Sequence, residues 1–174
     1  MVMRLGAWTA AIMMWSAAAS AAPKLAVFPF DLVVPQSEED FFTGPPKPSA
    51  EEDARLKLVR DELVSKLSAT GKYEILDIAP VAADISAAAP LNKCNGCEMD
   101  FAKKLGADYL VLGVVEKASA TLLSMNVIVV DMAKGGPIEN ASAVVQGNTD
   151  DAWLGVIRWL AKNKLHAGPE GVKQ

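Results

Sequence analysis

The run Asp108-Tyr-Leu-Val-Leu-Gly-Val-Val115 constrains this chain more than any other segment. Its apolar side chains fall on both alternating positions, so neither side of the extended run suits contact with water. A strand of that kind belongs at the centre of a sheet that is covered twice. It predicts a layered domain in which helices pack on a sheet.

The rest of the chain supplies the layers. Lys24-Leu-Ala-Val-Phe-Pro-Phe30 reads as a short strand, with Pro29 marking its end or an edge position. A long proline-rich loop is expected from Asp31 to about Pro48, carrying the acidic run Glu38-Glu39-Asp40. Ser49-Ala-Glu-Glu52 matches a capping box, and Leu56, Val59, Leu63 and Leu67 then recur at helical spacing until Gly71. Tyr73 to Asp77 is a second strand, and the alanine-rich stretch from Pro80 to Ala89 is a short, weak helix. Cys94-Asn-Gly-Cys97 leads into a helix from Glu98 to Leu105, which Gly106 stops.

After the central strand, Thr121 to Val130 is a long strand. One of its faces is Leu123, Met125, Val127 and Val129, and the other carries Ser124 and Asn126. Gly135-Gly136-Pro137 makes a turn, and Ile138 to Gln146 is a more polar strand suited to an edge. Thr149-Asp-Asp151 starts a final helix whose buried stripe is Trp153, Val156, Ile157 and Leu160. The expected order is β-α-β-(α)-α-β-β-β-α, an α/β fold with one mixed sheet of about five strands. The first strand–helix–strand unit should be parallel and right-handed, and the last three strands an antiparallel meander.

The first 21 residues read differently. Arg4 is followed by an apolar stretch to Trp15 and a run of small residues from Ser16 to Ala22. That is the layout of a secretory signal peptide cleaved after Ala21. A single periplasmic or secreted domain, residues 22–174, is the expected product. With Cys94 the first cysteine and no second long apolar run, no lipid or helical anchor is expected after cleavage. Of 17 basic and 21 acidic residues only Arg4 lies in the leader, so the mature chain carries about −5. That balance argues against nucleic acid as a partner.

Export frames the two cysteines. An oxidising compartment favours a small structural disulfide between Cys94 and Cys97. The alternative is thiol–disulfide exchange, because a pair at the start of a helix has a lowered thiol pKa. Against exchange, no strand feeds directly into Cys94, no tryptophan precedes it, and no later threonine-proline pair follows. Glu98, not histidine, follows Cys97, which removes c-type haem attachment, and zinc would need two further ligands. The one histidine, His166, sits near the C-terminus, so no histidine-based catalytic triad is expected. The carboxylates Asp31, Asp77, Asp108 and Asp131 fall at strand ends, where turn and cap duty is the common use. No glycine-rich phosphate loop follows a strand. No cofactor is expected, and neither is catalysis.

Two aromatic features are candidates for partner binding, the alternative being that a phenylalanine ring anchors the loop to the core and that Trp159 is packed half-buried. Phe41 and Phe42 lie adjacent in the acidic loop, and Trp159 falls at the edge of the last helix's apolar stripe.

Leu25 to Phe30, Gly71 to Asp77 and Ala102-Lys-Lys-Leu-Gly-Ala-Asp-Tyr-Leu-Val-Leu-Gly113 together resemble one recurring envelope module. It is similar to the amino-terminal domain of TolB and the periplasmic domain of the curli secretion protein CsgG. A nearer resemblance is to an uncharacterised family of small secreted proteobacterial proteins, which share the Cys-x-x-Cys and the ending Gly147-Asn-Thr-Asp-Asp-Ala-Trp153. The chain has no room for TolB's propeller and none of CsgG's membrane-spanning hairpins. The resemblance therefore implies a TolB-amino-terminal-like fold and a non-enzymatic periplasmic binding or assembly accessory. It implies an envelope protein as partner, with a periplasmic quinoprotein system among the candidates. Besides the loop, the exposed sheet edge at Ile138 to Gln146 offers strand addition.

Overall fold

The computed structural model describes residues 21–35 and 47–165. The strands are β1 (Lys24–Val27), β2 (Asp31–Val33), β3 (Glu74–Ile75), β4 (Tyr109–Lys117), β5 (Leu122–Asp131) and β6 (Gly136–Gln146). The helices are α1 (Ala50–Ala69), α2 (Ala82–Ala88), α3 (Cys97–Lys104) and α4 (Asp150–Asn163). Short 3-10 turns at Ala79–Val81 and Leu91–Lys93 flank α2.

One mixed sheet runs β3-β1-β4-β5-β6. β1 pairs in parallel with both β3 and β4, while β4, β5 and β6 form the expected antiparallel meander. The apolar run at Asp108–Val115 becomes β4, third from one edge, as its two-sided pattern requires.

The structure corrects two expectations. The loop does not begin at Asp31, and the sheet has six strands. The reason is β4's length. β1 pairs only with Tyr109–Val111, which leaves the rest of that flank open, and Asp31–Val33 returns as β2 against Val114–Glu116. Unpaired backbone groups along the buried strand would each be costly. β1 and β2 are thus one interrupted strand, broken where Pro29 has no N–H to donate. At the break the Phe30 ring crosses β4 at Gly113, where a Cβ would overlap it. Only glycine admits the ring there. The expected loop residues 36–46, with Phe41 and Phe42, lie outside the described residues, as do the leader up to residue 20 and His166.

Helices cover both faces of the sheet. On one, α1 and α4 bury Leu25, Val27, Val111, Met125, Val127 and Val129 together with their own Val59, Leu63, Trp153 and Ile157. On the other, α2, α3 and the turns beside them bury Ala26, Phe28, Leu110 and Val130.

Candidate functional site

The second face is covered over only part of its width. Leu110 and Val130 are buried and Leu112 and Ile128 half-buried beneath the α2–α3 layer. Further along, the cover by described residues ends. Leu122 is 46% exposed and Val144 is 58% exposed, which with Trp159 on α4 are the exposed large hydrophobic residues among those described. Register explains why they meet. Ser124 on β5 lies opposite Val144 on β6 and Glu116 on β4, and Glu116 lies opposite Val33 on β2, so these side chains share one face. Leu122 precedes Ser124 by two positions on the same face.

Val33, Pro35, Leu122 and Val144 line an open groove of about 400 Å³, with Glu116 and Lys117 at its rim. The Ser124 hydroxyl donates to Glu116 Oε2 across it at 3.3 Å. Beside the groove β6 ends the sheet, so its outer edge has no strand partner among the described residues. Residues 36–46 follow directly from Pro35, a wall of the groove. An apolar strip at an open strand edge can take a partner's strand through main-chain hydrogen bonds and seat its alternate side chains.

A polar junction beneath Lys117 fixes this end of the molecule. Ser49 caps α1: its hydroxyl accepts from Glu52 N at 3.2 Å, and its own N–H donates to Glu52 Oε2 at 3.0 Å. The other oxygen of the same buried carboxylate accepts from Lys117 Nζ at 2.6 Å and from the Asn148 amide at 3.4 Å. Burial alone would raise Glu52's pKa. The Lys117 hydrogen bond, the Ser49 contacts and the Lys117 charge outweigh it, and the value is lowered to about 2. Asn148 Oδ1 also accepts from Trp153 Nε1 at 3.1 Å and from Arg55 at 3.2 Å. Arg55 Nε donates to Asp150 at 2.8 Å. The Gly147–Trp153 motif therefore ties the start of α4 to the start of α1 and to β4, which is a structural use.

Cys94 and Cys97 form a disulfide, half-buried against the α2–α3 layer. α3 begins at Cys97, one residue before the expected Glu98, and Gly96 holds the N-cap with φ +102°. Cys94 instead ends the Leu91–Lys93 turn. The helix dipole therefore favours a thiolate at Cys97 more than at Cys94. Glu98 Oε2 lies 3.0 Å from Cys94 Sγ. On reduction that carboxylate would disfavour a thiolate at Cys94, the opposite of what a nucleophile needs. The same three groups cluster closely enough to hold a metal ion, but sulfurs joined to each other offer no thiolate ligands.

A family model described as a protein of unknown function (DUF2380) and designated DUF3280 matches residues 23–165. The chain belongs to this DUF3280 family. No curated protein matches it. Among solved structures it is similar to the LpoB C-terminal domain from Salmonella enterica, at 14% identity and TM-score 0.45, over 74% of this chain and 86% of that one. It is similar to the lipoprotein GNA1162 from Neisseria meningitidis at 16% identity and TM-score 0.49, over 80% and 97% of the two chains. TolB from Acinetobacter baumannii is similar at 16% identity and TM-score 0.40, over 82% of this chain and 28% of TolB.

In this DUF3280 chain the strand-end carboxylates serve the backbone. Asp108 accepts from Lys24 N and Asp31 from Asn92 N, each at 2.8 Å, while Asp77 accepts from Ala79 N at 2.9 Å. Asp131 accepts from Ala133 N and Lys134 N. Each serves a turn or strand end of its own. Partial burial raises the Asp31 pKa, whereas the Lys134 amide leads the contacts that lower Asp131's. Trp159 is 46% exposed on α4, with Lys164 Nζ 5.8 Å from its ring centre. It lies in the other helix layer, away from Leu122 and Val144.

Sequence reasoning missed Leu122, and it reached Val144 only as part of the Ile138–Gln146 edge. The available signal was the polar alternation of Ser124 and Asn126 on β5, with Ser142 opposite Asn126 on β6, which marks a sheet face less fully covered by the described residues. No described helix is long and apolar enough to cross a membrane.

Proposed function

We propose that the chain is a non-enzymatic binding module of the cell envelope, exported by residues 1–21 and active in the periplasm. It holds an envelope protein on the bare part of the sheet, through Leu122, Val144 and the open edge of β6, with Phe41 and Phe42 adding contacts from the segment that follows Pro35. The observation that carries this reading is the pair of exposed aliphatic side chains beside a strand edge unpaired among the described residues. Cys94–Cys97 is then a staple for the turn that leads into α3, and the nearby Glu98 carboxylate supports a stapling role over exchange. A periplasmic quinoprotein dehydrogenase is the first partner to try, on the resemblance of the sequence to its family.

The test is photo-crosslinking in intact cells, with the reactive residue placed at Val144, at Phe41, or on the opposite helix layer at Lys66. An adduct of one mass from Val144 and Phe41, absent from Lys66, is expected. Adding Leu122→Asp should abolish the Phe41 adduct without lowering the melting temperature. No adduct at Val144, or the same adducts at Lys66, overturns the reading.

A further inference from the structure

We propose that a second cleft, between the end of β1 and the first half of α1, binds a small carboxylate with an apolar body. The cleft holds about 300 Å³. It opens on the α1 side of the sheet, whereas the Leu122–Val144 groove opens on the other, so the two sites stand or fall separately.

Its position follows from the interrupted strand. β1 and β3 run parallel, and their carboxyl ends open together, which is where sheets of this class hold ligands. Pro29 turns the chain out of β1, and Phe30 swings across Gly113, so a hollow is left between the break and α1. Its apolar lining is Pro29, Phe30, Leu56 and Ile78. Its polar lining comes from one stripe of α1: Asp53, Lys57 and Arg60, at helical spacing.

The charges select the ligand. Arg60 is braced, with Nε donating to Val27 O at 3.0 Å and Nη1 to Asp61 at 3.1 Å. Its Nη2 has no hydrogen-bond partner among the described residues, and Lys57 has neither an ion pair nor a hydrogen bond there. A braced guanidinium with one free edge and a free ammonium beside it form a receptor for a single carboxylate. Asp53 lies on the same rim and would repel a second negative charge. The hydrophobic lining favours a ligand whose remainder is aliphatic or aromatic. A cleft at the small end of the ligand-site range admits about a dozen heavy atoms.

The experiment is protein-observed NMR titration of the whole mature chain with phenylacetate and hexanoate. Phenylacetamide and inorganic phosphate serve as controls for charge and for the apolar body. Saturable shifts are expected at the amides of Phe30, Leu56, Arg60 and Ile78 for both carboxylates, with the amide and phosphate at least about tenfold weaker. Lys57→Gln should weaken phenylacetate binding about fivefold or more, and Asp53→Asn should tighten it. Neither variant should change the melting temperature, since both side chains are exposed and have no side-chain partner among the described residues. Absence of saturable shifts with both carboxylates overturns the proposal. So does equal binding of the amide, or unchanged affinity in both variants.

Discussion

On one face of the sheet α1 and α4 lie across β1, β4, β5 and β6, joined to each other by Arg55–Asp150 and Arg158–Glu62 pairs. On the other face α2 and α3 cover β1, β4 and the far end of β5, and then stop. The first face reads in sequence as unbroken apolar alternation, and it carries Trp153, Met125 and Ile157 without exposure. The second begins in the same way at Leu110 and Val130 and ends at Ser124, Val144 and Leu122. Folding energy is concentrated on the first face, because buried area is what stabilises. The bare part of the second can change with little loss of stability, and that freedom is what a binding surface requires.

The sharpest way to break this contrast is to damage each side once. Trp153→Ala removes a fully buried indole and its hydrogen bond to Asn148, so it should cost about 3–5 kcal/mol. Val144→Asp replaces an exposed side chain and should stay within about 0.5 kcal/mol of the parent. Urea unfolding followed by circular dichroism measures both. Comparable losses would mean that the bare part of the sheet is as structural as the covered face.

The elements and their order were legible because each carries a local signal: the Ser49–Glu52 box, the 3.6-residue spacing of Leu56 to Leu67, and the two-residue spacing of Leu123 to Val129. Non-local facts were not. That Asp31–Val33 is a strand depends on β4 having an unpaired flank seventy and more residues away, which nothing in the segment itself records. The meeting of Val33, Leu122 and Val144 is likewise a product of register across three pairings. Asn148 shows the same limit. Sequence spacing identifies Thr149 as the cap of α4, and its hydroxyl does accept from Ala152 N at 3.3 Å. The reach of the preceding asparagine to Glu52, on a different helix, has no local signature.

Acid should act on the covered face first, through the Glu52 junction. The folded pKa of about 2 lies below the ordinary 4.5, so the ionised form is the one that folding favours. The stabilisation is fully present above about pH 5 and is lost as pH falls toward 2. A depression of that size corresponds to about 3 kcal/mol. In Glu52→Gln the fall in stability over this window should be shallower by that amount, although the variant starts lower because Lys117 loses its partner. Equal slopes in urea melts between pH 5 and pH 2 would show that the junction does not couple to folding.

The smallest effect expected is also the one that sharpens the comparison most finely, because it lies within the covered face. Tyr73 packs edge-on against Tyr109, with ring centres 6.3 Å apart, and its hydroxyl is buried without a hydrogen-bond partner among the described residues. Burial leads the effects that raise its pKa, with Tyr109 and Glu139 adding to it, so the group stays neutral and gains nothing from ionising. A stranded hydroxyl subtracts from the stability that its ring supplies. Tyr73→Phe keeps the ring and the edge-to-face contact and removes only the oxygen. It should leave stability unchanged or raise it by up to about 1 kcal/mol, read as a higher urea midpoint at constant slope. A loss of about 1 kcal/mol or more would show that the hydroxyl has a partner in solution, and that the covered face is wetter at β3 than its packing indicates.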